Sequence, residues 1–148
     1  MLAHNSKYIS DCIFCDILSG KLPSSVVYQN DRCTALMDIQ PINPGHVLVI
    51  PNSHATYLAD LDEDGGSELF SVAKRIAAAL RTSGLRCEGV NLFLADGEAA
   101  GQEVFHVHLH VFPRHKGDGF GFKFPAGYSD KPERSELDAI ALQIKGRL

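Results

Sequence analysis

Phe105-His106-Val107-His108-Leu109-His110-Val111-Phe112 alternates histidine with apolar residues without a break. A strand sends successive side chains to opposite faces, so the pattern predicts His106, His108 and His110 on one face and Val107, Leu109 and Val111 on the other. Residues two apart on a strand lie about 6.5 Å from one another, which lines the imidazoles up along one small ligand. Imidazole has an unperturbed pKa of about 6.5 and is suited to nucleophilic and acid–base work near neutral pH. A structural strand has no need of three in a row. The row is the candidate active site. It is either a metal cluster or a nucleophilic centre in which one histidine attacks while its neighbours orient and polarise.

The chain reads outward from that strand, predicted over Val104 to Phe112. Before it lie the glycine-bracketed loop Asp96-Gly97-Glu98-Ala99-Ala100-Gly101 and a strand from Val90 to Ala95. Between about Gly66 and Ser83, Leu69, Val72, Ala73, Ile76, Ala77 and Leu80 recur at helical spacing, with Gly84 just past the end as a stop. His46-Val47-Leu48-Val49-Ile50-Pro51 predicts a strand buried on both faces, and Gln40-Pro41-Ile42-Asn43-Pro44-Gly45 before it is a loop. Val26 to Tyr28 and Cys33 to Ile39 form a hairpin about Asn30-Asp31. A short helix is predicted over Tyr8 to Leu18, closed by Gly20, after a polar segment over residues 1–7. Beyond Pro113, Arg114 to Phe124 is glycine-rich, Pro125 to Pro132 irregular, and Ser135 to Lys145 a last helix. The sum is an α+β domain: an antiparallel, meander-like sheet packed with one long and two short helices. Residues 1–148 are taken as one domain, with 115–148 a C-terminal extension.

Composition sets limits on function. At 148 residues and 45% hydrophobic, the chain can bury one real core and not two. A net charge of −4 without a basic block argues against a nucleic-acid or membrane surface. An anionic ligand would need local positive potential from backbone N–H groups, the histidines and cations such as Arg114. No apolar run approaches the roughly 18 residues of a membrane helix, and Met1 to Asp11 lacks a signal-peptide core, so a cytoplasmic chain is expected. In that compartment Cys12-Ile13-Phe14-Cys15 is a ligand pair or core rather than a disulfide, and Cys33 and Cys87 are core residues.

His106-Val107-His108-Leu109-His110-Val111-Phe112 resembles the signature of the histidine triad (HIT) nucleotide-binding proteins. Cys12 to Tyr28, Met37-Asp38-Ile39, Pro44 to Pro51, His54 and Gly101-Gln102 also fall where that family has similar segments, so the resemblance covers about residues 12–114. It implies a homodimeric hydrolase or transferase that cleaves a substituent from the α-phosphate of a nucleotide, usually adenosine. His108 would attack phosphorus and form a covalent nucleotidyl-imidazole that water resolves, splitting one hard displacement into two easier ones. His110 would tend the phosphate and the leaving group, and His46 would orient His108. Gly101 and Gln102 would offer backbone N–H groups and a side-chain amide to the phosphate, and Asp38 would accept the ribose hydroxyls. Ile13, Phe14, Ile17, Leu22, Leu36 and Ile39 are the apolar residues available to wall the base, with Ile17, Leu22 and Leu36 read first as core.

Some members and the related galactose-1-phosphate uridylyltransferases use two cysteines, a post-strand histidine and the first triad histidine for zinc. By that resemblance Cys12, Cys15, His54 and His106 would form a closed Cys2His2 site, structural rather than catalytic; the alternative is two reduced thiols and two hydrogen-bonding histidines. Pro113-Arg114 after the triad looks like the dinucleoside polyphosphate hydrolase branch, whereas the phosphoramidate branch carries Gly-Gly there and tends to carry Asn where this chain has Ala95. The front end resembles the phosphoramidate branch. Both leaving groups stay open, as does a nucleotide-binding regulatory protein with little turnover.

Overall fold

The computed structural model describes residues 11–148, so the Tyr8–Ser10 part of the predicted first helix lies outside the described residues. Two units are distinguished, one running through Asp118 and the other from Gly119 to Leu148. The first holds helix α1 (Ile13–Leu18), strands β1 (Val26–Gln29), β2 (Cys33–Met37) and β3 (Val47–Pro51), helix α2 (Glu63–Thr82), and strands β4 (Gly89–Leu94) and β5 (Leu109–Arg114). Single 3-10 turns occupy Leu58–Asp60 and Glu98–Ala100. All strand pairs are antiparallel, in the order β1-β2-β3-β5-β4. The first three strands form a meander; β4, reached through α2, takes the far edge and β5 slots between it and β3.

Each face of the sheet has its own core. On one, Ala35, Val47, Val49, Val107, Leu109 and Val111 pack against Leu69, Val72, Ala73, Ile76 and Leu80 of α2. The helical spacing of those five α2 residues makes one apolar stripe, and each of Leu69, Val72, Ile76 and Leu80 removed from water contributes about 1.5–3 kcal/mol before entropy costs. Asp62 caps the helix, its carboxylate accepting from the Gly65 N–H at 2.6 Å. On the opposite face, Leu36, Leu48 and Ile50 pack against Cys12, Phe14 and Cys15 at the start of α1. Alternation along β3 feeds both cores, so Val47, Leu48, Val49 and Ile50 are all buried, as their continuous apolar run predicts. Cys33 is buried in the α2-facing core, where burial and the nearby Glu68 raise its thiol to about 11; Cys87 is partly buried against the same core.

The predicted histidine strand is shorter than its alternation suggests. Pairing with β3 runs only from Val47–Val111 to Val49–Leu109, and pairing with β4 also ends at Leu109. Residues 104–108 remain outside the ladder, tied instead by Val107 N–H to the Ala55 carbonyl at 2.8 Å and by a local His106 N–H bond to the Val104 carbonyl. Period two persists without the ladder, since Val107, Leu109 and Val111 all enter the α2-facing core.

The second unit carries helix α3 (Arg134–Lys145) and a stack of Phe124 on Tyr128, ring centroids 4.1 Å apart. Leu137, Ile140, Leu142 and Ile144 of α3 are exposed. Among the described residues no helix is long and apolar enough to cross a membrane.

Candidate active site

The α1 face of the sheet holds the three histidines, linked ring to ring with the help of Phe14. Phe14 meets His106 and His108 edge-on, with centroids 5.7 and 5.3 Å away, and His108 meets His110 at 5.0 Å. Hydrogen bonds assign each ring its tautomer. His108 Nδ1 lies 2.7 Å from the His106 carbonyl, which can only accept, so Nδ1 carries the proton and Nε2 keeps its lone pair. The same logic applies to His106, whose Nε2–H donates to the Pro51 carbonyl at 2.9 Å, leaving Nδ1 bare.

That bare Nδ1 points at sulfur. Cys12 Sγ lies 3.4 Å and Cys15 Sγ 3.7 Å from His106 Nδ1, and Cys15 Sγ lies 3.4 Å from His54 Nδ1. The four ligand atoms all fall within 4.8 Å of one another. A tetrahedral zinc with bonds of about 2.3 Å to sulfur and about 2.1 Å to nitrogen holds S and N roughly 3.6 Å apart. The donor set and its edges fit zinc, and the Pro51 bond supplies the outer contact that fixes a ligating imidazole. His54 makes its own second contact, Nε2 to Thr56 Oγ1 at 3.3 Å.

His110 belongs to a second chain of contacts. The Ile42 N–H donates to His46 Nδ1 at 3.1 Å, so neutral His46 carries its proton on Nε2, which donates to His110 Nδ1 at 2.9 Å. His110 therefore presents Nε2–H at its far end. Asp38 Oδ2 stands 3.5 Å from His46 Nε2 and 3.8 Å from His110 Nδ1. His46 thus bonds to His110 rather than to His108, whose Nδ1 is held by the backbone carbonyl of His106. A metal on Asp38, His46 and His110 is disfavoured despite their proximity. His46 turns a proton, not a lone pair, toward the other two.

Burial favours the neutral form of His46, His54, His106 and His110. Desolvation, then the neighbouring His108 and His46, lower His110 to about 4 against the pull of Asp38. His106 is lowered to about 4, chiefly by burial. Burial also lowers His46 and His54, opposed by Asp38 and Asp60 respectively. Between pH 6.5 and about 4 the unfolded chain binds protons that the folded one refuses, so stability falls as pH falls through that window. In metal-free protein each of His106 and His110 is expected to cost on the order of 3 kcal/mol by pH 4, read as a lower urea midpoint at pH 4.5 than at pH 7.

A protein-family model, the HIT domain, matches residues 19–117. The chain belongs to the HIT family. A HIT-like protein of Borreliella burgdorferi is 47% identical over 135 residues, covering 90% of this chain and 96% of its own. A zinc-bound histidine triad family protein from Mycobacterium smegmatis is similar in structure at 38% identity and a TM-score of 0.72, covering 93% of this chain and 98% of its own. A histidine triad nucleotide-binding protein from Candida albicans gives 31% identity and a TM-score of 0.80, with coverages of 92% and 96%.

Around the HIT histidines, several expected contacts are already engaged. Gln102 is buried, its amide nitrogen donating to the carbonyls of Thr56 and Val104 and its oxygen accepting from the Gly97 N–H. The Gly101 and Gln102 N–H groups bond to the Glu98 and Gly97 carbonyls, at 2.9 and 3.1 Å. These bonds close the loop, with Gly101 at φ 90°, where a side chain would be strained. Asp38 Oδ1 accepts from the Gln40 N–H at 2.8 Å, so its carboxylate faces the His46–His110 pair and its own turn. The Arg114 guanidinium clasps Asp118 at 2.6 and 2.9 Å and reaches Asn91 at 2.6 Å.

The apolar residues sort by burial. Phe14 is buried behind the imidazoles and Leu36 in the core, whereas Ile17 is half-buried against it. Ile39 is 92% exposed and Leu22 is exposed, so neither is core; the expectation fails for Leu22 because an apolar residue beside a proline turn has no periodic neighbours. Ile13 is exposed and lines a cavity of about 500 Å³ with Thr56, Glu103, Val104 and Phe105, bordered by Cys12 and His54. Thr56, Glu103, Asn43 and Asp118 carry no sequence signal that sets them apart. Only their spatial company does.

Proposed function

We propose that this HIT protein is a nucleotide hydrolase or transferase that acts at the α-phosphate through a covalent nucleotidyl-His108. The observation that carries this is the His108 Nδ1–H bond to the His106 carbonyl, which keeps the proton of the ring on Nδ1 and aims Nε2 away from the backbone. Nε2 forms a bond to phosphorus as the bond to the leaving group breaks, and the leaving atom departs with the electron pair and takes a proton from water. A second water then attacks phosphorus, the P–N bond breaks with its electron pair returning to Nε2, and the proton that water sheds neutralises the hydroxide left by the first, which restores the imidazole. In sum, water divides between the nucleotide and the leaving group. His110, neutral and with Nε2–H at its free end, donates a hydrogen bond where negative charge develops. Asp38 Oδ2 stands 3.5 Å from His46 Nε2, where its charge favours the proton that His46 turns toward His110. The likeness to a histidine triad nucleotide-binding protein of Candida albicans supports a nucleotide as the substrate.

Cys12, Cys15, His54 and His106 would hold zinc, and four protein ligands leave it no open position for substrate. When bound, zinc supplies structure, tying the start of α1 to the triad backbone. Thiolate ligands require a reducing compartment, which supports a cytoplasmic location. β4 is an edge strand carrying exposed Leu92 and Phe93, a surface that suits a second copy in a homodimer.

The test is hydrolysis in ¹⁸O-labelled water with an adenosine phosphoramidate and with diadenosine polyphosphates. Label is expected in the adenosine monophosphate released from the preferred substrate, and the relative kcat/KM names the leaving group. Label found only in the other product would place the attack elsewhere and overturn the proposal. Nucleotide binding without turnover of either substrate would favour the regulatory reading.

A further inference from the structure

Asp118 lies beyond the triad motif, yet its buried carboxylate is the hub of a hydrogen-bond network. Its side chain is only 3% exposed and accepts from Arg114 Nε and Nη2, from the His115 N–H at 3.3 Å and from Asn43 Nδ2 at 2.9 Å. The second N–H of the Asn43 amide donates to the Pro113 carbonyl at 2.9 Å. Arg114 in turn reaches Asn91 on β4. A carboxylate buried with donors on both oxygens fixes its partners firmly, because releasing any of them strands a charge in a dry site.

What the network grips is the loop between β2 and β3. Asn43 sits in that loop next to Ile42, and the Asn43 carbonyl accepts from the His46 N–H at 3.1 Å. The adjacent Ile42 N–H is the donor that occupies His46 Nδ1. The path is continuous, from Asp118 to the Asn43 amide, to the Ile42 N–H, to His46 Nδ1, and through His46 Nε2–H to His110 Nδ1. Shifting the loop by a fraction of a hydrogen-bond length would free His46 Nδ1 to take the proton. Nε2 would then meet His110 as an acceptor, and the far nitrogen of His110 would lose its hydrogen.

We infer that Asn43 and Asp118 are positioning residues that set the tautomer of His46 and thereby keep the proton of His110 on the nitrogen facing the substrate. The effect on turnover rests on the function proposed above; the effect on the tautomers does not.

The test uses ¹⁵N histidine side-chain spectra of the full chain together with kinetics. Wild type is expected to show His46 protonated on Nε2 alone, and Asn43→Ala to show it exchanging between both nitrogens. With a nucleotide ester of a poor leaving group, an alkoxide, kcat should fall roughly 10- to 100-fold, a fraction of what a complete proton-donating group supplies. KM should stay within about twofold, and a p-nitrophenyl ester, whose leaving group delocalises its charge, should change less than about threefold. Asp118→Asn keeps an acceptor for Asn43 and should give a smaller change of the same kind, which serves if Asn43→Ala does not fold. Asn91→Ala cuts the network on the side away from the loop and should lower Tm while leaving the His46 spectrum unchanged. A wild-type His46 tautomer in both loop-side variants, or equal losses on the two esters, would overturn the inference. Absence of turnover in wild type with the expected tautomer shift would instead defeat the proposed function and leave the positioning role standing.

Discussion

His108→Asn is expected to lower kcat on the order of 10⁴-fold or more while nucleoside monophosphate still binds. Asparagine can keep a side-chain N–H near the His106 carbonyl, which His108 Nδ1 now occupies at 2.7 Å. It therefore leaves the local backbone in place and removes only the nucleophilic nitrogen. His110 and His46 keep their mutual bond, so groups that would contact the phosphate survive. Isothermal titration with adenosine monophosphate and steady-state kinetics on one preparation separate the two effects. A variant retaining more than about a tenth of wild-type turnover would remove His108 from the chemistry.

Loss of zinc is the second large effect expected. Elemental analysis of freshly purified protein should find about one zinc per chain, and Cys15→Ser should bring that near zero. Structural zinc sites contribute folding energy outright, on the order of 10 kcal/mol in small zinc domains. Here two hydrophobic clusters support the fold independently, so the stripped protein is expected to stay folded with a Tm lower by roughly 10 °C or more. Activity should fall as well. His106 offers Nδ1 to the metal site and its carbonyl to His108, so slack at one loosens the other. Wild-type protein without zinc and with an unchanged Tm after chelation would reduce the cluster to thiol–imidazole hydrogen bonds.

Most of the fold is legible in the amino-acid pattern because period two and period 3.6 are both written in apolar residues. The α2 stripe and the alternation through Val107, Leu109 and Val111 mark buried faces by their spacing alone. Where the ladder stops is a different matter. Val104 to His108 keeps the strand pattern and pairs with neither β3 nor β4, because strand pairing depends on how far the partners run. Pairing of polar groups is the least legible layer. Gln102 and Arg114 stand out in the sequence as polar groups, but their bonds within the Gly97 loop and to Asp118 are not written there. The choice between His108 and His110 as partner for His46 depends on which ring nitrogen lies within 2.9 Å, a distance no spacing rule encodes. The Cys12, Cys15, His54 and His106 set follows from family resemblance, and the four side chains do converge.

The central claim is a covalent bond between His108 and the nucleotide. Mixing the protein with a reactive adenylate substrate, quenching under alkaline conditions that preserve a phosphoramidate, and mapping the adduct by tandem mass spectrometry tests it directly. One adenylyl group is expected on His108, present before product release and absent from His108→Asn. An adduct on another residue, or steady turnover with none trapped on any histidine, would contradict it.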